Sequence, residues 1–135
     1  MKIYLTKKSK IAGTSFKEVT KKARAVFDRV KARTKRRPYV RSKYFKKDKI
    51  FISIFWTHLF KKNEKDRLRR LRFLECALDL IINSNFDPVT RENFQKKDEL
   101  LHRFYGSTTN KDKFVVQIKE NKRTKRKDLI SIYPE

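Results

Sequence analysis

Residues 100–134, LLHRFYGSTTNKDKFVVQIKENKRTKRKDLISIYP, decide the fold class. Apolar and polar side chains alternate here with a period of two, the mark of a strand buried on one face. Leu100 to Tyr105 reads as one strand, and Gly106-Ser107-Thr108-Thr109-Asn110 as the turn that ends it. Phe114, Val116 and Ile118 alternate with Val115, Gln117 and Lys119 in a second strand. Residues 121–127, NKRTKRK, form a basic loop, and Leu129 to Tyr133 a third strand in which Ile130 and Ile132 share a face. Short connections between successive strands predict an antiparallel meander.

Upstream of Pro88 the period lengthens to that of helices. Ser15 with Glu18 three residues later fits a capping box, and Phe16, Val19, Ala23, Val26 and Val30 recur at helical steps. A helix over 14–37 follows, closed by Pro38. Residues 38–60 leave strand and helix both open, with the balance toward a helix over 48–61. Asn63 caps the next helix, whose stripe runs through Leu68, Leu71, Leu74, Leu78 and Ile81 to the turn chemistry of Asn83-Ser84-Asn85 and Asp87-Pro88. The expected fold is α+β, with N-terminal α-helices packed on a C-terminal antiparallel β-meander. At 135 residues it is expected to be a single domain, with a basic N-terminal helix and arm over 1–47 and the core over 48–135.

The charge points to the partner. Thirty-eight Lys and Arg stand against 15 Asp and Glu, a formal net charge of +23. Self-repulsion on that scale opposes folding, and a polyanion relieves it. The first fifty residues alone hold 19 cations and 3 acids. Arg67, Arg69, Arg70 and Arg72 crowd the N-terminal half of their helix, where cations oppose the dipole and an external anion would offset the cost. Nucleic acid, with RNA favoured, is the expected ligand. Tyr39, Tyr44, Phe45, Phe51, Phe55, Trp56 and Phe60 lie among lysines and arginines. They read first as core and second as stacking platforms for bases.

If the apolar strand faces pack on the helices, Gln117, Lys119, Ser131 and Tyr133 are thrown to the opposite side, within reach of Arg103 and Tyr105. RNA cleavage without a metal needs a proton carrier, cations for the phosphoryl oxygens and a donor for the leaving oxygen. His58 and His102 are the two imidazoles available, and nearby cations would favour the neutral, base-competent form. The candidate catalytic residues are therefore His58, His102, Lys119, Ser131 and Tyr133, with His58 preferred over His102. The candidate nucleic-acid contacts are Lys62, Arg67, Arg70, Arg103, Gln117, Arg123, Lys125 and Arg126. No Gly-rich phosphate loop, Gly-x-Ser-x-Gly or His-Glu-x-x-His occurs, and the scattered acids do not supply a two-metal centre, so no metal or cofactor is expected. Cys76 is the only cysteine and reads as a small buried hydrophobe.

The run LLHRFYGSTTNKDKFVVQIKEN, followed by KDLISIYP, resembles the final strands of phage-associated nuclease domains of the barnase–EndoU–colicin–RelE superfamily, metal-independent RNases that include many toxins. Lys119, Ser131, Tyr133 and Pro134 match the pattern of those strands. FWTHLFKK, with His58 and Lys62, is similar to a His-plus-Lys helix in such domains, and FLECALDLIINSNFDP to the helix and turn after it. The resemblance covers roughly residues 50–134 and leaves the first helix outside. It implies a toxin-like endoribonuclease acting through the 2′-OH, and an antitoxin or immunity protein as a possible partner. The alternative is a non-catalytic RNA- or DNA-binding accessory protein. The N-terminus shows no secretory pattern and no run long enough to cross a bilayer, so a cytoplasmic location without membrane association is expected.

Overall fold

The computed structural model describes residues 2–135. Helix α1 spans Phe16–Ala32, and Ser15 Oγ accepts the Glu18 amide at 3.1 Å as its cap. The Glu18 carboxylate returns to the Thr14 amide at 3.3 Å, which completes the capping box one residue further out than usual. Val19, Ala23, Val26 and Val30 are buried, so the basic helix is fastened along its apolar stripe. The helix stops at Ala32 rather than Arg37. Beyond Val30 the stripe is exhausted, and Arg33, Lys35, Arg36 and Arg37 offer nothing to bury.

The expected block of helices followed by a meander is overturned: strands and helices interleave along the chain. Strand β1 (Tyr4–Leu5) precedes α1, and an antiparallel hairpin of β2 (Tyr39–Ser42) and β3 (Asp48–Phe51) follows it. The helix favoured over 48–61 is thus a strand followed by a short helix, α2 (Ser53–Leu59). The hairpin turn carries Lys46 and Lys47 at φ 55° and 71°, positions where glycine or asparagine usually announces a turn.

The long helix after Asn63 is also two, α3 (Glu64–Leu71) and α4 (Leu74–Asn83). The N-terminal segment intrudes at the break. Ile11 donates its amide to the Arg72 carbonyl at 2.8 Å, and the Arg72 guanidinium donates to the carbonyls of Ile11 and Gly13 at 2.9 and 2.8 Å. Phe73, freed from the helical row, stacks on Phe114 at 5.3 Å.

Strand β4 (Val89–Glu92) was not anticipated; β5 (Glu99–Ser107), β6 (Lys113–Asn121) and β7 (Lys127–Pro134) form the expected antiparallel meander. Among the described residues seven strands make one sheet in the order β1–β5–β6–β7–β3–β2, with β4 sharing the outer edge of β5. β3 joins β7 in parallel, and β1 joins β5 in parallel. One face of the meander, with Phe104, Phe114, Val116, Ile118, Leu129 and Ile132, enters a single apolar cluster with residues of α1, α2 and α4. A bulge between Gln117 and Ile118 leaves Ile130 as the extra residue, so Leu129, not Ile130, shares the core face with Ile132. None of the described helices is long and apolar enough to cross a membrane.

Candidate nucleic-acid interface

The other face of the meander is polar and half-buried. Directly paired residues on adjacent strands point the same way, so the register fixes its membership. Arg103 pairs with Gln117 and Gln117 with Ser131; Tyr105 pairs with Val115 and Val115 with Tyr133; Leu101 pairs with Lys119 and Lys119 with Asp128. The open face therefore brings together Arg103, Gln117, Lys119, Ser131 and Tyr133. Arg103 Nε donates to Gln117 Oε1 at 3.2 Å, tying the guanidinium down at one atom.

Arg70 reaches this face from α3. Its Nη1 donates to Ser131 Oγ at 3.0 Å and to the Ile132 carbonyl at 3.3 Å, and its guanidinium lies 5.6 Å from the Tyr133 ring centre. Asp66 accepts Arg70 Nε at 3.2 Å from both carboxylate oxygens. Hydrogen bonds from Arg69 and Arg70 outweigh its partial desolvation and hold Asp66 below the ordinary carboxylate range.

His58 stands exposed near the end of α2. Partial burial first, then the charges of Lys61, Lys119 and Lys62, hold its imidazole below the ordinary value of 6.5. Lys119 and Lys62 are thus electrostatic neighbours of His58, and the ring is biased toward its neutral form at pH 7.

His102 lies on the opposite side of the sheet, only 6% exposed. Its Nδ1 is 2.7 Å from Thr90 Oγ1 and its Nε2 2.8 Å from Glu120 Oε1, with the Phe45 ring against it. Lys127, also buried, donates to Asp48 at 2.8 Å and sits 3.6 Å from Glu120. The alternation that sends Arg103 outward sends His102 inward with Phe104, and Glu120 and Lys127 meet its polarity there.

The remaining candidates are dispersed. Arg67 is held between the rings of Phe16 and Phe60, at 4.9 and 5.5 Å, as part of the helix packing. Arg123 and Lys125 project from the β6–β7 turn, where Arg123 is 3.9 Å from Asp98. Arg126 donates through Nε and Nη2 to buried Asp128, both at 3.2 Å, and covers the Phe51 ring at 4.6 Å. Tyr39 and Phe51, read first as core and second as stacking platforms, and Arg41 and Lys49 among them, were not named with the contacts of this surface. Pairing of Tyr39 with Phe51, and of Phe51 with Asp128, puts them on the same open face. Alternation within YVRS and DKIF was the available signal, too short to read without the hairpin turn. Among the described residues no three His, Cys, Asp or Glu side chains cluster as metal ligands.

No protein-family model, curated protein or solved structure matches this chain.

Proposed function

We propose that the protein is a metal-independent endoribonuclease that works on the open face of β5–β6–β7. The observation that carries this reading is the cationic setting of His58, which is under the charges of Lys61, Lys119 and Lys62. An imidazole on α2, biased toward its neutral form, feels the charge of Lys119, whose own sheet face also offers a guanidinium, a hydroxyl and a phenol. In this reading neutral His58 takes the 2′-OH proton, and the 2′-oxygen bonds to phosphorus as the bond to the 5′-oxygen breaks. Lys119, Lys62 and Arg103 hold the non-bridging oxygens as charge develops. The His58 imidazolium then returns its proton to the 5′-oxygen, leaving a 2′,3′-cyclic phosphate and a 5′-hydroxyl. Ser131 and Tyr133, steadied by Arg70, orient the scissile group. The likeness of the last strands to the barnase–EndoU–colicin–RelE domains supports the same chemistry, with an inhibitor protein as the corresponding partner.

A non-catalytic RNA-binding protein is the second reading. It is favoured by the spending of His102 in the core and by the commitment of Arg70 to Asp66, Ser131 and Ile132.

The test is incubation with labelled RNA in excess EDTA, beside His58→Ala and Lys119→Ala. Cyclic-phosphate ends are expected from the wild type, with a rate about 10²–10⁴-fold lower in His58→Ala. Because the folded pKa of His58 lies below 6.5, the rate should be on its plateau at pH 7 and fall with acid below 6.5. Binding without cleavage across single-stranded and structured substrates would transfer the assignment to the second reading.

A further inference from the structure

A row of paired residues crosses the open face from one sheet edge toward the other: Leu101, Lys119, Asp128, Phe51, Tyr39. Three strand spacings, roughly 14–15 Å, separate Lys119 from Tyr39. At the Tyr39 end an open cavity of about 650 Å³ is lined by Tyr39, Phe51, Lys49 and the 33–37 segment that links α1 to β2. The two rings meet edge to face at 6.0 Å. Lys49 Nζ lies 4.8 Å from the centre of the Tyr39 ring, and the Arg41 guanidinium 5.4 Å from it.

Two features separate this cavity from an ordinary solvated basic surface. Its lining carries five cations and no carboxylate, and the carboxylates closest in the sheet are already engaged: Asp128 by Arg126, and Asp48 by Lys127. Its aromatic rings are half-buried on the face away from the apolar cluster, where their packing partners are each other and the cations Arg126, Lys49 and Arg41. Aromatic faces beside unpaired cations bind an unstacked base together with its phosphates. A duplex offers the phosphates but not the base, because its bases are stacked on one another and its deep groove is closed to side chains.

We propose that this cavity is a nucleobase subsite for single-stranded RNA. One unpaired base stacks against Tyr39 and Phe51, and the flanking phosphates rest on Arg36, Arg37 and Lys49. The strand then passes over Arg126, which screens Asp128, to Lys119. The subsite deepens the reading above and rests on RNA being the ligand. It makes the chain selective for unpaired RNA.

The test uses fluorescein-labelled 2′-O-methyl RNA, which has no 2′-OH to attack, so the result does not depend on cleavage. Binding of a single strand and of a duplex of the same length is measured by anisotropy on the full chain. The wild type should prefer the single strand. Tyr39→Leu with Phe51→Leu should weaken single-strand binding about tenfold or more and leave duplex binding, which also reports the fold, nearly unchanged. Arg36→Ala with Arg37→Ala, on exposed positions outside the sheet, should weaken the single strand and lower its salt slope by about 0.7 for each phosphate no longer neutralised. Equal losses on strand and duplex, or no loss in either variant, would overturn the subsite.

Discussion

Gly106 lies directly across from Phe114, and a Cβ at that position would come within 2.4–2.9 Å of the Phe114 ring. Phe114 is fully buried and stacked on Phe73, so the ring has no room to yield. Gly106→Ala should therefore destabilise the protein by about 1–3 kcal/mol, read as a lower urea midpoint at unchanged slope. An unaltered midpoint would mean that the ring shifts freely. In the sequence Gly106 reads as the first residue of a turn; its real office is to admit an aromatic ring from the next strand. The histidines teach a similar lesson. His102 and Arg103 are neighbours in sequence, yet pleating sends one into the core and the other to the open face. Strand alternation made the sharing of a face by Gln117, Lys119, Ser131 and Tyr133 readable in advance. The charge of Lys119 felt by His58 depends on how α2 lies along the sheet, which no local pattern encodes.

Elements were legible where they carry their own period and their own stop signals. The cap at Ser15 and the strands β5, β6 and β7 are of that kind. The β2–β3 hairpin is not: its turn places Lys46 and Lys47 at positive φ, so nothing in the sequence marks the reversal. The split between α3 and α4 is invisible for another reason. A carbonyl that would continue the helix is taken by Ile11, from far earlier in the chain. β1 likewise exists only through its partners. Asp79 on α4 accepts Thr6 Oγ1 at 2.6 Å, Asn83 Nδ2 at 2.8 Å and the Tyr4 hydroxyl at 3.0 Å. Burial pushes the Asp79 carboxyl upward, but the hydrogen bonds from Thr6, Asn83 and Tyr4 outweigh it and hold it below its usual 3.8. Burial and the bond to Asp79 push the Tyr4 phenol up to about 12. The carboxylate end of this tie is complete above pH 3.8 and is lost as acid passes the lower folded value. The phenol end is complete below pH 10 and is lost as the pH climbs through about 12. Asp79→Asn should cost about 1–2 kcal/mol at pH 7, with solvent screening favouring the lower end, and less at pH 3, below the unfolded value of 3.8. Urea midpoints at the two pH values check this, and equal losses at both would remove the charge from the explanation.

For the whole molecule the dominant quantity is the net charge of +23. Of the ion pairs present, the Lys127–Asp48 and Arg126–Asp128 pairs have one buried partner each, and several others lie at the surface, where screening keeps each worth little. Self-repulsion is thus a standing cost that counterions reduce. Raising NaCl from about 50 to 500 mM, which shortens the Debye length about threefold, should raise the melting temperature by several degrees. A constant or falling melting temperature would show that ion pairs weakened by screening offset the relief. Composition alone was enough to establish a strongly cationic chain with an apolar core, because charge and apolar content are sums that no fold can alter. Local period was enough to establish the meander and its polar face, because pleating follows from the backbone itself. Strand order, the parallel joining of β3 to β7, and the alignment of Lys119, Phe51 and Tyr39 along one face were decided by the tertiary structure. Those depend on contacts between segments far apart in the chain, and their energies appear only once the segments have packed.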